Sequence, residues 1–382
     1  MRLLTAAAAA IFALSAGVSS GQETLSLGVI GSLTGPASSQ DQQASIGIRM
    51  AVEEINAAGG IEVGGQKYVW SIVEEDAQSR PDVAASAAQK LLSDENIRVI
   101  MGLISSAPGM AAVNLIKRAE VLYFGGFTSL DDVVGAPDAP YVFRTLDNDA
   151  DVSEGFVPAV VAELGIKKLV FIVPNEDISH SIVNIYQPAL EAAGVEVAVE
   201  YYQSGTTEFS PVLRKFQNQG YDTAFLSYPD SEAEGLVRQS LEIGGLPKQF
   251  LYRGGAMAPV VNYLDRIDGF SWQILTRDIE HSTDQAVLDW IERYKAFTGG
   301  DPVATTHWAL TYYDTVFLLG QAMAEAGTTT DVPAISAALR NKTYSGVRTL
   351  TYDDNGRVHS LTDIGFFKDG KIYSKPNVPP QQ

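Results

Sequence analysis

The strongest constraint on this chain is an alternation, run through twice, of short β-rich stretches with amphipathic helical ones. In the first series residues 25–30 read as a strand. Ala44, Ile48, Ala51, Val52 and Ile55 follow at helical spacing, and Gly59 and Gly60 end that helix. Residues 68–73, 97–101 and 121–124 read as strands, with helices over 83–92 and 110–118 between them. The second series has strands at 169–173, 195–201, 223–226 and 250–252, and helices at 182–192, 209–217 and 232–243. A loop-forming cluster, Gly135 to Pro140, separates the two. Helices over 284–297 and 305–325 come next. A β-like tail then turns at Asn355-Gly356 and Asp369-Gly370, pairs that favour hairpins. Strand–helix alternation with short loops predicts an α/β chain with two doubly wound, parallel-sheet units. In such sheets ligands gather at the carboxyl ends of the strands.

The remaining features narrow the class. Arg2 precedes an uncharged apolar run over residues 3–16, and Ser19, Ser20 and Gly21 supply small residues for a cut before Gln22. That order predicts a cleaved secretory signal peptide over 1–21 and export to the periplasm. The rest of the 382 residues suits two domains. Cysteine is absent, which removes disulfides and thiol chemistry. A net charge of −19 repels phosphate backbones and anionic lipid, so nucleic acid is not an expected partner. Nor does an enzyme motif emerge. Gly28, Gly31 and Gly35 lack the spacing of a dinucleotide turn, and no Walker or Gly-x-Ser-x-Gly pattern occurs. His180, His281, His307 and His359 are scattered without metal spacing. Asp147, Asp149 and Asp151 begin like a calcium loop, but Val152 replaces the turn glycine and Pro158 the final carboxylate. No cofactor, metal or catalytic group is expected.

Three loops of the first series are rich in Ser, Thr and Gly: residues 31–36 running on to Gln40 and Asp41, residues 102–108 with Ser105 and Ser106, and residues 125–129 with Phe127 and Thr128. Each alone reads as a helix cap or a turn. On successive strands of one sheet, their hydroxyls and helix-start N–H groups suit a carboxylate or similar polar head.

Gly31 to Pro36, Gly47 with Ala51, Glu54 through Ile61, Asp76-Ala77, Ser105-Ser106, Phe127-Thr128 before Leu130, Gly205 to Ser210, Arg238-Gln239 before Gly244, and Tyr312-Tyr313-Asp314 occur in one order. That ordered set resembles the leucine/isoleucine/valine-binding protein family, periplasmic receptors serving ABC importers. The resemblance implies the type I periplasmic binding protein fold, with two lobes joined by three crossovers near 143–146, 275–277 and 345–347. Lobe I would then comprise 22–144 and 277–346, and lobe II 145–276 and 347–382. It also implies that Ser105, with Ser106 beside it, and Thr128 hold a ligand α-carboxylate, and that the Phe127 carbonyl helps hold an ammonium.

The chain departs from the family at several such positions. Gln40 stands where relatives carry an aromatic cover, and Ile178 where they carry a stacking Tyr. Gly254 replaces the Glu that pairs the ammonium, with Arg253 next to it, and Asp230 falls near another contact position. An ammonium buried without an anion is costly, so an amino-acid ligand needs Asp230 or Asp41 as substitute. Arg253 either clamps a second carboxylate or makes a structural ion pair. His180 reads as a local hydrogen-bonding group, and Tyr228 and Phe127 as pocket walls or core. The implied function is the non-enzymatic solute-binding component of an ABC importer, a monomer with a small-molecule solute and an inner-membrane ABC permease as partners. A branched-chain or other hydrophobic amino acid leads. An aromatic or aliphatic carboxylate, an amide, or a sensor role on the same fold are the alternatives, ahead of an α/β enzyme.

Overall fold

The computed structural model describes residues 22–378, apart from 37, 128–129, 131–132, 228, 245–246, 255–256 and 304. The expected leader, Thr128 and Tyr228 therefore lie outside the described residues. The chain begins with β1 (Glu23–Gly31), α1 (Ser38–Ala57), β2 (Ile61–Val63), β3 (Gln66–Asp76), α2 (Pro81–Leu92), β4 (Ile97–Gly102), α3 (Ser106–Ile116), β5 (Leu122–Gly125) and β6 (Val142–Arg144). It continues with α4 (Asp149–Leu164), β7 (Lys168–Pro174), α5 (Asp177–Ala192), β8 (Glu196–Tyr202), α6 (Ser210–Asn218), β9 (Thr223–Ser227), α7 (Asp230–Glu242), β10 (Gln249–Arg253) and β11 (Gly269–Gln273). The last part holds α8 (Gln285–Thr298), α9 (His307–Ala326), α10 (Val332–Leu339), β12 (Thr343–Ser345), β13 (Thr349–Tyr352), β14 (Val358–Ser360), β15 (Thr362–Lys368) and β16 (Lys371–Asn377).

One sheet runs β2-β3-β1-β4-β5-β6, parallel except for β2. The other runs β16-β15-β11-β10-β9-β7-β8, parallel except for β15, which is antiparallel to both its neighbours, β11 and β16. Strand side chains alternate between two apolar layers, as period-2 geometry requires. Leu27 and Val29 of β1 enter the layer beneath α1, α8, α9 and α10, whereas Ile30 enters the layer beneath α2 and α3. In β7, Val170 and Ile172 face α6 and α7, while Leu169, Phe171 and Val173 face α4 and α5. Burial on both faces is why these strands read as continuous apolar runs.

Strand order decides where a ligand can sit. The chain leaves β1 for β3 on one side and later returns to β4 on the other, so a crevice opens between β1 and β4 at their carboxyl ends. The second sheet has the same reversal between β7 and β9. The Ser-rich loops after β1 and β4 flank the first point, and Ile178 and Asp230 follow the two strands of the second.

One expected boundary is corrected. The third crossover was expected at 345–347, yet Val347, Leu350, Tyr352 and Val358 are buried in the first sheet's core. Tyr352 meets the Phe143 ring edge-on at 5.1 Å, and Arg144 N–H donates to Gly356 O at 3.0 Å. The β12-β13-β14 meander thus covers the end of β6, and the chain joins the second sheet only at β15. The physical reason is aromatic packing across β6.

Candidate functional site

At the carboxyl end of β1 the backbone is held by two carboxylates. Asp76 Oδ1 accepts from Leu33 N–H at 2.9 Å, Thr34 N–H at 3.2 Å and Gln78 N–H at 2.8 Å, and Asp76 Oδ2 from Thr34 Oγ1 at 2.6 Å. Burial works to raise its carboxyl, but the bonds from Thr34, Gln78 and Leu33 hold it below its ordinary value. Asp41, in the first turn of α1, takes Ser32 N–H on Oδ2 at 3.0 Å. Burial pushes Asp41 up to about 6, against the hydrogen bonding at Ser32 and Ile104. Among the described residues neither its Oδ1 nor Ser32 Oγ makes a hydrogen bond of good geometry, although the Ser32 hydroxyl and the Ile104 backbone stand beside the carboxylate. Gln40 is half-buried on the neighbouring position of α1.

The loop after β4 is sharply bent. Gly102 has φ +120°, and a Cβ there would stand 2.0 Å from Ile30 O, so only glycine fits. Leu103 follows with φ +65° and accepts Gly126 N–H at 3.2 Å, tying this loop to the end of β5. Ser105 occupies the N-cap position of α3 in extended conformation and makes no side-chain cap bond. Its hydroxyl and that of the exposed Ser106 are thus not committed to capping, at a helix end whose first N–H groups are unpaired by construction.

Of the two readings of the Phe127 ring, wall or core, the packing takes the second. Its ring is fully buried against Gly109 of α3, where an added Cβ would stand 2.4 Å from it. Its carbonyl accepts Leu130 N–H at 3.2 Å. Gly126 is packed beneath Trp308, Thr145 and Tyr312, all within 2.9–3.3 Å of where a Cβ would be.

The second sheet resolves the other candidates. Arg253 makes a two-pronged pair with Asp149, Nε to Oδ1 at 3.2 Å and Nη2 to Oδ2 at 2.9 Å, with the side chains 12% and 11% exposed. Gln273 Nε2 adds a bond to Asp149 Oδ1 at 2.9 Å. Burial works to raise the Asp149 carboxyl, but Arg253 and Gln273 hold it below its usual value. The clamp reading of Arg253 gives way to the structural one, because Asp149 opens α4 against the ends of β10 and β11. Asp230, exposed in the first turn of α7, accepts from the Tyr252 hydroxyl. Gly254 carries no side chain for a steric reason: a Cβ would lie 1.9 Å from the Tyr252 ring. Ile178 is half-buried at the rim of the α4–α5 layer. His180 bonds Asn175 Oδ1 at 2.9 Å and lies over Tyr201, ring centroids 4.4 Å apart.

Residues 24–367, through both sheets and their site loops, match the sequence model of a family described as periplasmic binding protein. The chain belongs to that family. This periplasmic binding protein is 26% identical over 354 residues to Leu/Ile/Val-binding protein homolog 3 of Brucella melitensis, covering 91% of this chain and 92% of that one. It superposes on an ABC transporter substrate-binding protein of Desulfitobacterium hafniense in complex with Leu at a TM-score of 0.75, with 20% identity, 92% of this chain and 100% of that chain covered. A solute-binding protein of an ABC transporter from Rhodopseudomonas palustris, in complex with 3,4-dihydroxybenzoic acid, matches at a TM-score of 0.67 with 20% identity, covering 94% of this chain and 99% of that chain. The fold is therefore the type I periplasmic binding fold, two lobes joined by three crossovers.

Sequence reasoning missed several of this binding protein's site-edge groups. Tyr312, Ser32 and Asp76 entered only as part of a resemblance, Asp149 only as one of the acidic residues of a discarded calcium-loop pattern, and Tyr252 was given no role. Asp41 was weighed only as a substitute for the absent Glu. The available signal was an acidic residue in an apolar helical register, which Asp41 supplies.

Proposed function

We propose that this protein is the solute-binding component of an ABC importer, working in the periplasm and delivering its cargo to an inner-membrane permease without chemical turnover. The cargo is a small solute bearing a carboxylate, a branched-chain or other hydrophobic amino acid first. The lobes on this reading are 22–144 with 277–360, and 145–276 with 361–378. The observation that carries it is Ser105: a hydroxyl at the start of α3, not used as a cap, beside Ser106 and at the β1/β4 crevice. It supplies a donor where a helix end favours an anion, and Thr128, which the family resemblance pairs with it, is the second donor on this reading. Asp230 and Ile178 would meet the solute from the second lobe on closure, a population shift driven by contacts made only when closed.

Calorimetric titration with the amino acid that most raises the melting temperature tests this reading. Ser105→Ala combined with Thr128→Ala should weaken binding on the order of 100-fold or more, since hydrogen bonds to a charged group are lost. The circular dichroism spectrum should be unchanged. Retained affinity would remove the site. The Tyr252 ring at the place of the family Glu favours a second reading, an aromatic or aliphatic carboxylate without an ammonium. Stabilisation by plain carboxylates, and not by amino acids, would select it.

A further inference from the structure

Among the described residues, Asp41 Oδ1, Ser32 Oγ and Tyr312 Oη are buried at the carboxyl edge of the first sheet without a hydrogen bond of good geometry, although the Ser32 hydroxyl lies near Asp41 and Thr145 near Tyr312. They come from three separate segments: the first turn of α1, the loop after β1, and α9. Asp41 is 1% exposed, and Ser32 and Tyr312 are fully buried. A carboxylate this buried is costly unless something pairs it. Among the described residues, the groups that act on it most strongly supply no positive charge. Asp76 at the end of β3 is another carboxylate, and Tyr123 of β5 and Tyr312 of α9 are neutral hydroxyls raised by burial and then by neighbouring groups that include Asp41. Tyr123 donates to Gly102 O at 2.8 Å, so its proton is spent. The backbone at Ile104 also faces the carboxylate, and Ser105 is the next residue.

The second lobe offers the ammonium of an amino acid little at the family position. Gly254 has no side chain, the Tyr252 ring fills the space, and Arg253 is held by Asp149. An ammonium has three N–H donors and no acceptor, and the first-lobe edge has three unpartnered oxygens.

We propose that Asp41 is the counter-ion for the ammonium of an α-amino-acid solute, with Tyr312 Oη and Ser32 Oγ as its companions. This rests on the reading that the solute's carboxylate lies at Ser105 and the start of α3. Both charges of the zwitterion are then recognised on the first lobe, and the second lobe reads the side chain. Carboxylates that lack the amino group gain nothing from Asp41. Because the carboxylate titrates at about 6 and must be ionised to pair an ammonium, amino-acid affinity falls as pH drops through that value.

The test compares the tightest-binding standard amino acid with its des-amino acid, on the wild-type protein and on Asp41→Asn, by calorimetry. Asparagine keeps an oxygen for Ser32 N–H and replaces the charged, unpaired oxygen with a neutral amide NH2. Amino-acid affinity should fall on the order of 100-fold, as for a charge-assisted bond in a buried site, while that of the des-amino acid stays the same. The wild type should also bind the amino acid less tightly at pH 5 than at pH 7, a dependence absent from Asp41→Asn. A melting temperature at pH 7 no lower than the wild type's shows the variant folded, since removing a carboxyl raised to about 6 is stabilising at that pH. Equal weakening of both ligands would overturn the proposal in favour of a loop-holding role, and so would unchanged amino-acid affinity. A wild type that binds only the des-amino acid would overturn it and leave the carboxylate site standing. Amino-acid binding that survives Ser105→Ala with Thr128→Ala but is lost in Asp41→Asn would do the reverse, supporting Asp41 and removing the carboxylate site.

Discussion

Tyr252 and Gly254 act as one unit. The Tyr252 ring is fully buried in the α6–α7 layer and its hydroxyl is bonded to Asp230, so it cannot swing away cheaply to admit a side chain at 254. Gly254→Glu, which restores the family's residue, should therefore destabilise the protein by about 1–3 kcal/mol through overpacking. Urea unfolding measures this, and an undiminished midpoint would show that the ring moves. The variant should not tighten amino-acid binding, because the restored carboxylate has no room beside the ring. In the sequence Gly254 is only a missing Glu. That a tyrosine two residues earlier occupies the space is a matter of side-chain shape, which spacing does not report.

At the level of elements, helix α1 lies directly on α9. A Cβ on Gly47 would stand 1.9 Å from Ala309 O, so the two backbones touch where other residues would hold them apart. The contact seats Ala44, Ile48 and Ala51 against Leu310, Tyr313 and Phe317, and sets the height of α9 over the strand ends where Tyr312 meets Gly126. Gly47→Ala should cost about 1–3 kcal/mol, since the obstructing atom is backbone and not a flexible side-chain tip. Chemical denaturation checks the stability. Solute titration checks whether Tyr312 has moved with its helix, in which case affinity falls even where the fold survives. A glycine inside an amphipathic helix is easily seen in a sequence, but the helix that requires it lies far along the chain.

Across the whole molecule, carboxylates tie the three crossovers together. Asp147 accepts Ser360 N–H at 2.7 Å and also the Ser360 hydroxyl. Asp363 accepts Arg277 Nε at 3.0 Å and Asp278 N–H at 2.8 Å, and Asp363 N–H donates to Thr276 O at 2.8 Å. Burial pushes Asp147 up to about 6, with its bonds to Ser360 acting against the shift. A carboxyl raised in the folded state favours folding most below its unfolded value, near 3.8, and loses that contribution as pH climbs through about 6. Asp147→Asn should therefore match the wild type near pH 4 and exceed it near pH 7 by on the order of 2–3 kcal/mol. Comparing the two proteins by urea unfolding at each pH cancels the groups they share, including Asp149 and Asp284, whose carboxyls are held low and whose contributions fade as pH falls. A difference that stays constant with pH would show that Asp147 does not titrate in this window.

Period-2 and period-3.6 apolar patterns are local, and residues 25–30, 97–101, 169–173 and 223–226 became strands because each buries both faces within a few residues of itself. The α/β class and the site loops at strand ends followed from that pattern, with Ser105 among them. Element starts were less legible: α3 and α5 begin several residues before their apolar periodicity does, because what their first turns bury, Pro108 and Gly109 in α3 and Ser179 in α5, is too small or too polar to register as an apolar pattern. The return of α8, α9 and α10 to the first sheet came only through a family resemblance, since an apolar helix face does not say which of two cores it covers. Tertiary structure alone decided that the β12-β13-β14 meander stays with the first sheet, that Arg253 is spent on Asp149, and that Asp41 keeps an unpaired oxygen beside Tyr312. Each depends on groups 100 or more residues apart, as Arg253 and Asp149 are, meeting in one orientation. Such a meeting is set by packing after the chain closes, and no run of neighbouring residues encodes it.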